Sequence, residues 1–260
     1  MSLIESIILA VIEGLTEFLP VSSTGHMILA SAAMKIFDDE FVKNFEIAIQ
    51  LGAILSIVLI YFKQFSHGIK LYLKLVTAFL PTAVIGFLAY DFIKSVLFNP
   101  TVVAVSLIIG GIILIIIDKR VTQKSSETLN LEMIPYKNAF CIGLIQCLSM
   151  IPGTSRAAAT IIGGVFNGLD KKQATEFSFL LAVPTMLAAT GYDLLKTSIH
   201  FSNFELMLLM VGLTVAFVSA WAAVTIFLKI VDQYGFRYFG YYRIIIGLIF
   251  LLTMTETSLK

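Results

Sequence analysis

Six apolar stretches long enough to cross a bilayer are spread along the chain. They lie at roughly 43–62, 72–90 and 100–117 in the first half, and 174–195, 205–228 and 241–254 in the second. Runs such as VVAVSLIIGGIILIII (102–117) and LMLLMVGLTVAFVSAWAAVTIFL (206–228) match a hydrocarbon layer of about 30 Å. Two further regions, 3–36 and 136–168, are apolar at both ends but interrupted by a proline and small polar residues: LPVSSTGH in one, IPGTSR in the other. Proline ends a helix by removing a donor and crowding the preceding turn. Non-helical backbone at membrane depth persists only where protein or a water-filled cavity surrounds it. Each interrupted region is therefore predicted to be a re-entrant helical hairpin; two short spans is the competing reading.

The interrupted regions are related to each other. One shift of 132 residues lays Pro20 on Pro152 and Ser23 on Ser155, and aligns FDDEFVKNF (37–45) with LDKKQATEF (169–177). The expected fold is thus all-α and polytopic, with six transmembrane helices and two re-entrant hairpins. Residues 1–130 form one repeat and 131–260 the other. Three crossings per repeat is an odd number, so the second repeat is inverted relative to the first, as in many transporters.

Composition supports the membrane assignment. Of 260 residues 58% are hydrophobic and 13% charged, with a mean hydropathy of +0.93. Soluble domains carry roughly twice that charge, so lipid must cover most of this exterior. A net charge of +1 gives no case for nucleic acid. The amino terminus lacks a basic n-region and a small-residue cleavage site, so no removable signal peptide is expected. Cys141 and Cys147 read as free thiols, because no further Cys or His has ligand spacing. The topology puts Lys63, Lys70, Lys74, Lys119, Arg120, Lys124, Lys137, Lys171, Lys172, Lys229, Arg237 and Arg243 on one side, against Lys35, Lys43, Lys94, Lys196 and Lys260 on the other. The positive-inside rule then places both termini outside.

The candidate chemistry lies at the two interruptions. Glu13 and Glu17 are spaced i, i+4, so one helical face presents both. Carboxylates inside a membrane normally face a cavity, a partner or an ion; the alternative is a solvated pair on an interfacial helix. Ser22, Ser23 and Thr24 follow the proline and start the return helix. They either cap it or border an anion site at its amino terminus. His26 lies three residues beyond Ser23, on the same helical face, where it can manage a proton. Arg156 stands alone among basic residues between Lys137 and Lys171. Its fork of donors suits phosphate oxygens, unless it snorkels to a headgroup. Carboxylates for a divalent metal together with Arg and helix termini for phosphate suit phosphoryl hydrolysis, and a phosphate reaching a buried membrane site is most simply a lipid phosphate.

EGLTEFLPVSSTGH (13–26) and PGTSRAAAT (152–160) resemble the two signature motifs of the bacterial undecaprenyl-diphosphatase family, integral-membrane enzymes linked to bacitracin resistance. The similarity extends over FEIAIQLGAILSIV (45–58), GLIQCLSMIPGTSR (143–156) and EFSFLLAVPTMLAAT (176–190). The resemblance implies removal of the terminal phosphate of undecaprenyl diphosphate, recycling the lipid carrier for peptidoglycan synthesis. It also implies a site open to the outer (periplasmic) side of the bacterial inner membrane, and support by Mg²⁺ or Ca²⁺. Position by position, Glu13 and Glu17 match the family's acidic pair, Ser22 and Ser23 its paired serines, and His26 its essential histidine. Ser155, Arg156 and Thr160 match its phosphate-binding motif, and Gln146, Glu46 and Gln50 also fit the pattern.

On this reading Glu13 and Glu17 hold the metal, while Glu17, Ser23, His26 and Arg156 are catalytic, with Ser23 or a water as nucleophile. Ser22, Thr24, Ser155, Thr160 and Gln146 bind substrate, with Gln146 weighed evenly against helix-to-helix bonding. One departure is Ala157-Ala158, where the family usually has Ser-Gly; activity is expected to persist with altered kinetics. A polyprenyl-phosphate flippase or ion-coupled transporter on the same inverted repeat is the alternative. GVFNG (164–168) has GxxxG spacing, which leaves a homodimer open, although it falls at a predicted turn.

Overall fold

The computed structural model describes residues 1–67, 69–93, 100–120, 131–196 and 201–257. Among these the protein is all-α, with eleven α-helices and no strand. In order they are α1 Leu3–Thr16, α2 Ser23–Ala33, α3 Glu40–Ile60, α4 Phe62–His67, α5 Ile69–Phe92, α6 Pro100–Arg120, α7 Tyr136–Gln146, α8 Arg156–Phe166, α9 Lys171–Lys196, α10 Asn203–Tyr234 and α11 Arg237–Thr257. Short 3₁₀ turns cover Leu131–Met133 and Cys147–Met150.

Among the described residues five helices are long and apolar enough to cross a membrane: Glu40–Ile60, Ile69–Ala89, Thr101–Lys119, Lys171–Lys196 and Asn203–Tyr234. The sixth expected crossing, 241–254, lies in α11. Large apolar side chains such as Leu88 and Leu195 face outward, as lipid contact requires. The protein is a polytopic helical membrane protein.

Both interrupted regions are helix–break–helix units. α1 packs on α2 around the break at 17–22, and α7 packs on α8 around the break that ends at Ser155. The longer helices enclose them: α10 runs along α1 and α3, α5 along α7, α9 along α8 and α3, and α6 along α11. Gly14 sets the approach of α1 to α10, since a Cβ there would stand 2.5 Å from the Ala216 carbonyl oxygen. Gly14→Val is therefore expected to push α1 outward and destabilise the protein by about 1–3 kcal/mol, read as a lowered melting temperature in detergent.

Two sequence expectations change here. Arg243, counted among the loop charges, is wholly buried, and Lys74 is buried with its ammonium 3.2 Å from the centre of the Tyr136 ring. Lys94, Lys124 and Lys260, also used in that count, lie outside the described residues, as does the repeat boundary at 130. In the GVFNG segment, Gly164 packs against Ala174 of α9 and Gly168 turns the chain at φ 89°. Gly164 thus serves a helix contact within the chain and Gly168 a turn.

Candidate active site

Each break ends in the same unusual way. Ser22 has φ 72° and ψ 93°, and its hydroxyl accepts the Gly25 N–H at 3.4 Å, capping α2. Ser155 has φ 71° and ψ 120°, and its hydroxyl accepts the Ala158 N–H at 3.2 Å, capping α8. Positive φ is costly for residues with a Cβ and persists where surroundings enforce it. The caps are 133 positions apart, one more than the spacing of the prolines. The second break carries an extra residue between proline and cap, and Gly153 at φ 90° lies in it. At the caps Ser22 therefore pairs with Ser155. Ser23 and Arg156 then occupy matching first positions of α2 and α8.

Those two first positions meet on one carboxylate. Ser23 Oγ donates to Glu17 Oε2 at 2.5 Å, and Arg156 Nη2 donates to Glu17 Oε1 at 3.4 Å. All three side chains are nearly buried. Arg156 Nη1 also donates to the Ser178 carbonyl at 3.1 Å, and its guanidinium lies 5.7 Å from the Phe18 ring. Its Nε–H is buried with no partner among the described residues. A guanidinium with an unspent donor beside two helix amino termini has the donor chemistry that suits an anion.

A cavity of about 480 Å³ opens onto this cluster. Glu17, Ser22, Ser23, Thr24, Ser155 and Arg156 line its polar end. Phe79, Ala83, Phe87, Met186 and Tyr192, from α5 and α9, line an apolar stretch of wall. Of the remaining sequence candidates, Thr160 and Gln146 sit behind the surface. Thr160 shares a 2.6 Å hydrogen bond with Ser178, beneath Arg156. Gln146 donates to Thr82 at 2.7 Å and to Thr185 at 3.3 Å, and both threonines face the cavity. Gln50 lines the cavity and accepts from Thr190 at 3.2 Å. His26 does not reach Ser23: Nδ1 lies 2.8 Å from the Ser22 carbonyl and Nε2 2.7 Å from the Tyr242 hydroxyl. Ala157 and Ala158 are core residues, and Ala158 contributes only its backbone N–H to the cap.

Glu13 lies one helical turn before Glu17, buried, with Oε1 unpartnered among the described residues. No group of three or more His, Cys, Asp and Glu suited to a metal occurs among those residues. The protein thus supplies two carboxylates, one with an orphaned oxygen. That donor set fits a hard cation that takes its other ligands from water and phosphate, the usual habit of Mg²⁺.

Sequence reasoning missed Arg243, on α11. Nη1 donates to the Pro20 and Thr154 carbonyls, both at 3.0 Å; Nη2 donates to Gly153 at 2.9 Å and Ser106 at 3.2 Å; Nε donates to Leu107 at 3.3 Å. All five N–H groups are spent on carbonyls of both breaks and of α6. A basic residue at the seventh position of a helix rich in tyrosine carries no sequence signal for this role.

Fold and site together define an all-α membrane protein with a carboxylate–serine–arginine cluster at the head of an amphiphilic cavity. The chain belongs to the family described as bacitracin resistance protein BacA, whose model matches residues 6–249. It is 50% identical over 252 residues to a protein of Persephonella marina named undecaprenyl-diphosphatase, covering 97% of this chain and 99% of that one. Proteins of the same name from Bdellovibrio bacteriovorus and Wolinella succinogenes are also 50% identical, over 254 and 251 residues. Those two alignments cover 98% and 96% of this chain, and 97% and 98% of theirs.

Proposed function

We propose that the protein hydrolyses undecaprenyl diphosphate to undecaprenyl phosphate and inorganic phosphate within the membrane, and that it thereby gives bacitracin resistance. The observation that carries this reading is Glu17 held between Ser23 and Arg156 at the polar end of a cavity that also has an apolar stretch of wall. A diphosphate headgroup suits the first part and a prenyl chain the second. The relatives' shared name agrees with that chemistry.

Ser23 Oγ attacks the terminal phosphorus, forming the Oγ–P bond as the bridging P–O bond breaks. Its proton passes to Glu17 and on to the departing undecaprenyl phosphate. A water then attacks the phosphoserine, giving its proton to Glu17, which returns one to Ser23 Oγ as phosphate leaves. Arg156 and the free N–H groups at the starts of α2 and α8 hold the non-bridging oxygens throughout. Glu13 and Glu17 would hold a divalent cation, Mg²⁺ or Ca²⁺, which when bound supplies charge neutralisation to the diphosphate. Placing the cavity mouth and both termini on the outer face of the inner membrane is supported by the basic loop residues, which still dominate the other side without Arg243.

The test is phosphate release from undecaprenyl diphosphate by the purified full chain. Arg156→Ala is expected to lower kcat by about 10²–10³-fold. EDTA is expected to abolish turnover, with Mg²⁺ or Ca²⁺ restoring it. Equal rates for wild type and Arg156→Ala would sink the reading. Trapping phosphoserine at Ser23 checks the nucleophile; its absence during turnover assigns the attack to water.

A further inference from the structure

We infer that Tyr242 is a positioning residue for this reaction: it holds His26 as a clamp on the strained Ser22 turn, so that His26 is not the base for Ser23. The inference rests on the phosphatase reading and adds to it a residue on α11 that does not line the cavity.

The hydrogen bonds leave His26 one neutral arrangement. Ser22 O, 2.8 Å from Nδ1, is a carbonyl and can only accept, so Nδ1 carries the hydrogen. Nε2 of the neutral ring is then a bare lone pair, and the Tyr242 hydroxyl donates to it across 2.7 Å. The two rings lie nearly parallel, 4° apart, with centroids separated by 5.5 Å. Neither nitrogen is left for Ser23, whose hydrogen is directed at Glu17 Oε2. The proton that a serine nucleophile must lose already has an acceptor elsewhere.

Comparison of the two caps gives the clamp its purpose. Ser22 O accepts twice, from the His26 backbone N–H at 3.3 Å and from the His26 ring. Ser155, at nearly the same φ, has Ala159 four residues on, and accepts its backbone N–H at 3.0 Å with no side-chain donor to add. The ring is thus supplied only to the turn that carries the attacking hydroxyl. Ser23 follows Ser22 directly, so rotation of the Ser22 peptide moves Oγ away from Glu17. α11 secures this break twice, through Tyr242 to His26 and through Arg243 to the Pro20 carbonyl.

The experiment uses the full chain in detergent, with phosphate release from undecaprenyl diphosphate and thermal melting measured together. Asparagine places an amide N–H where Nδ1 stands but takes up no proton. His26→Asn is therefore expected to stay within about 10-fold of wild type, while His26→Ala falls by about 100-fold. Tyr242→Phe is expected to lower kcat about 3–10-fold with KM unchanged, and to add nothing in the His26→Asn background, where its partner is gone. A general base would instead make His26→Asn as inactive as His26→Ala, a loss of about 10²–10⁴-fold. That result at an unchanged melting temperature, or Tyr242→Phe equal to wild type, overturns the inference.

A readout free of turnover comes from ¹⁵N NMR of histidine-labelled protein, with the His26 signals identified by their loss in His26→Asn. A protonated Nδ1 and bare Nε2, with Nε2 shifting in Tyr242→Phe, are expected; a protonated Nε2 in the neutral ring overturns the inference. If wild type releases no phosphate, the phosphatase reading fails, while the tautomer still decides the clamp. Should His26→Ala not fold, His26→Asn, Tyr242→Phe and the NMR carry the comparison.

Discussion

Glu17→Gln is expected to abolish measurable turnover, with kcat down by about 10³-fold or more, while the protein keeps its fold at a lowered melting temperature. Beyond its proposed share in holding a cation, the carboxylate has two duties, and the amide fails at both. Oε2 receives the Ser23 hydrogen, and an amide is too weak a base to take it as the Oγ–P bond forms. Oε1 receives Arg156 Nη2, and an amide cannot offset the buried guanidinium charge. The fold survives because Arg156 keeps its bond to the Ser178 carbonyl and Glu17 keeps its neighbours at the end of α1. Ser23→Ala should reduce kcat comparably and leave Arg156 paired, so a lipid diphosphate would still bind. A Ser23→Ala protein that turns over within 10-fold of wild type would transfer the attack to water. Single-turnover phosphate release with both variants makes this measurement directly.

The second large effect is on stability. Arg243→Met is expected to lower stability by about 5 kcal/mol, enough that little folded protein accumulates in the membrane. Methionine fills the space but strands the break carbonyls of Pro20, Gly153 and Thr154, and takes a second donor from the α6 carbonyls of Ser106 and Leu107. A buried acceptor left without a donor costs about 1–3 kcal/mol, and partial rearrangement recovers some of it. Gly110, whose Cβ position would lie 2.2 Å from Arg243 Nη2, leaves room for the arginine alone. Arg243→Lys keeps the charge but cannot serve five acceptors, so an intermediate melting temperature is expected. Thermal melting of the three proteins in one detergent gives the order; a methionine variant as stable as wild type would contradict it.

Much of the architecture was legible because helix length and lipid thickness impose a coarse, regular signal. The crossings at 43–62, 72–90, 100–117, 174–195 and 205–228 each fall within or close to a long apolar helix. The two breaks were visible because proline followed by small hydroxyl residues is a poor helix interior. Exact correspondence between the breaks was not legible. Pro20 and Pro152 mark the same disruption, but the backbone turns at the caps, and a glycine at positive φ lets the second break run one residue longer. Of the site, Glu17, Ser23 and Arg156 stood out as polar groups without a surface to go to. Ser178, Thr82, Thr185 and Tyr242 did not, since a hydroxyl in an apolar helix commonly bonds to its own backbone. Arg243 was hidden for a different reason. Its partners are peptide carbonyls, which every residue possesses, so no side-chain pattern announces them.

The shared arginine also bears on how the molecule can move. A carrier that exposes its site alternately to two sides must let one half swing against the other. Here the guanidinium joins Pro20 of the first break to Gly153 and Thr154 of the second, with the α6 carbonyls as a third anchor. Rocking the halves apart would sever charge-assisted hydrogen bonds together worth on the order of 5–10 kcal/mol, against a population shift of a few kcal/mol in typical gating motions. The pin ties the two breaks and α6 into one unit that resists such a motion.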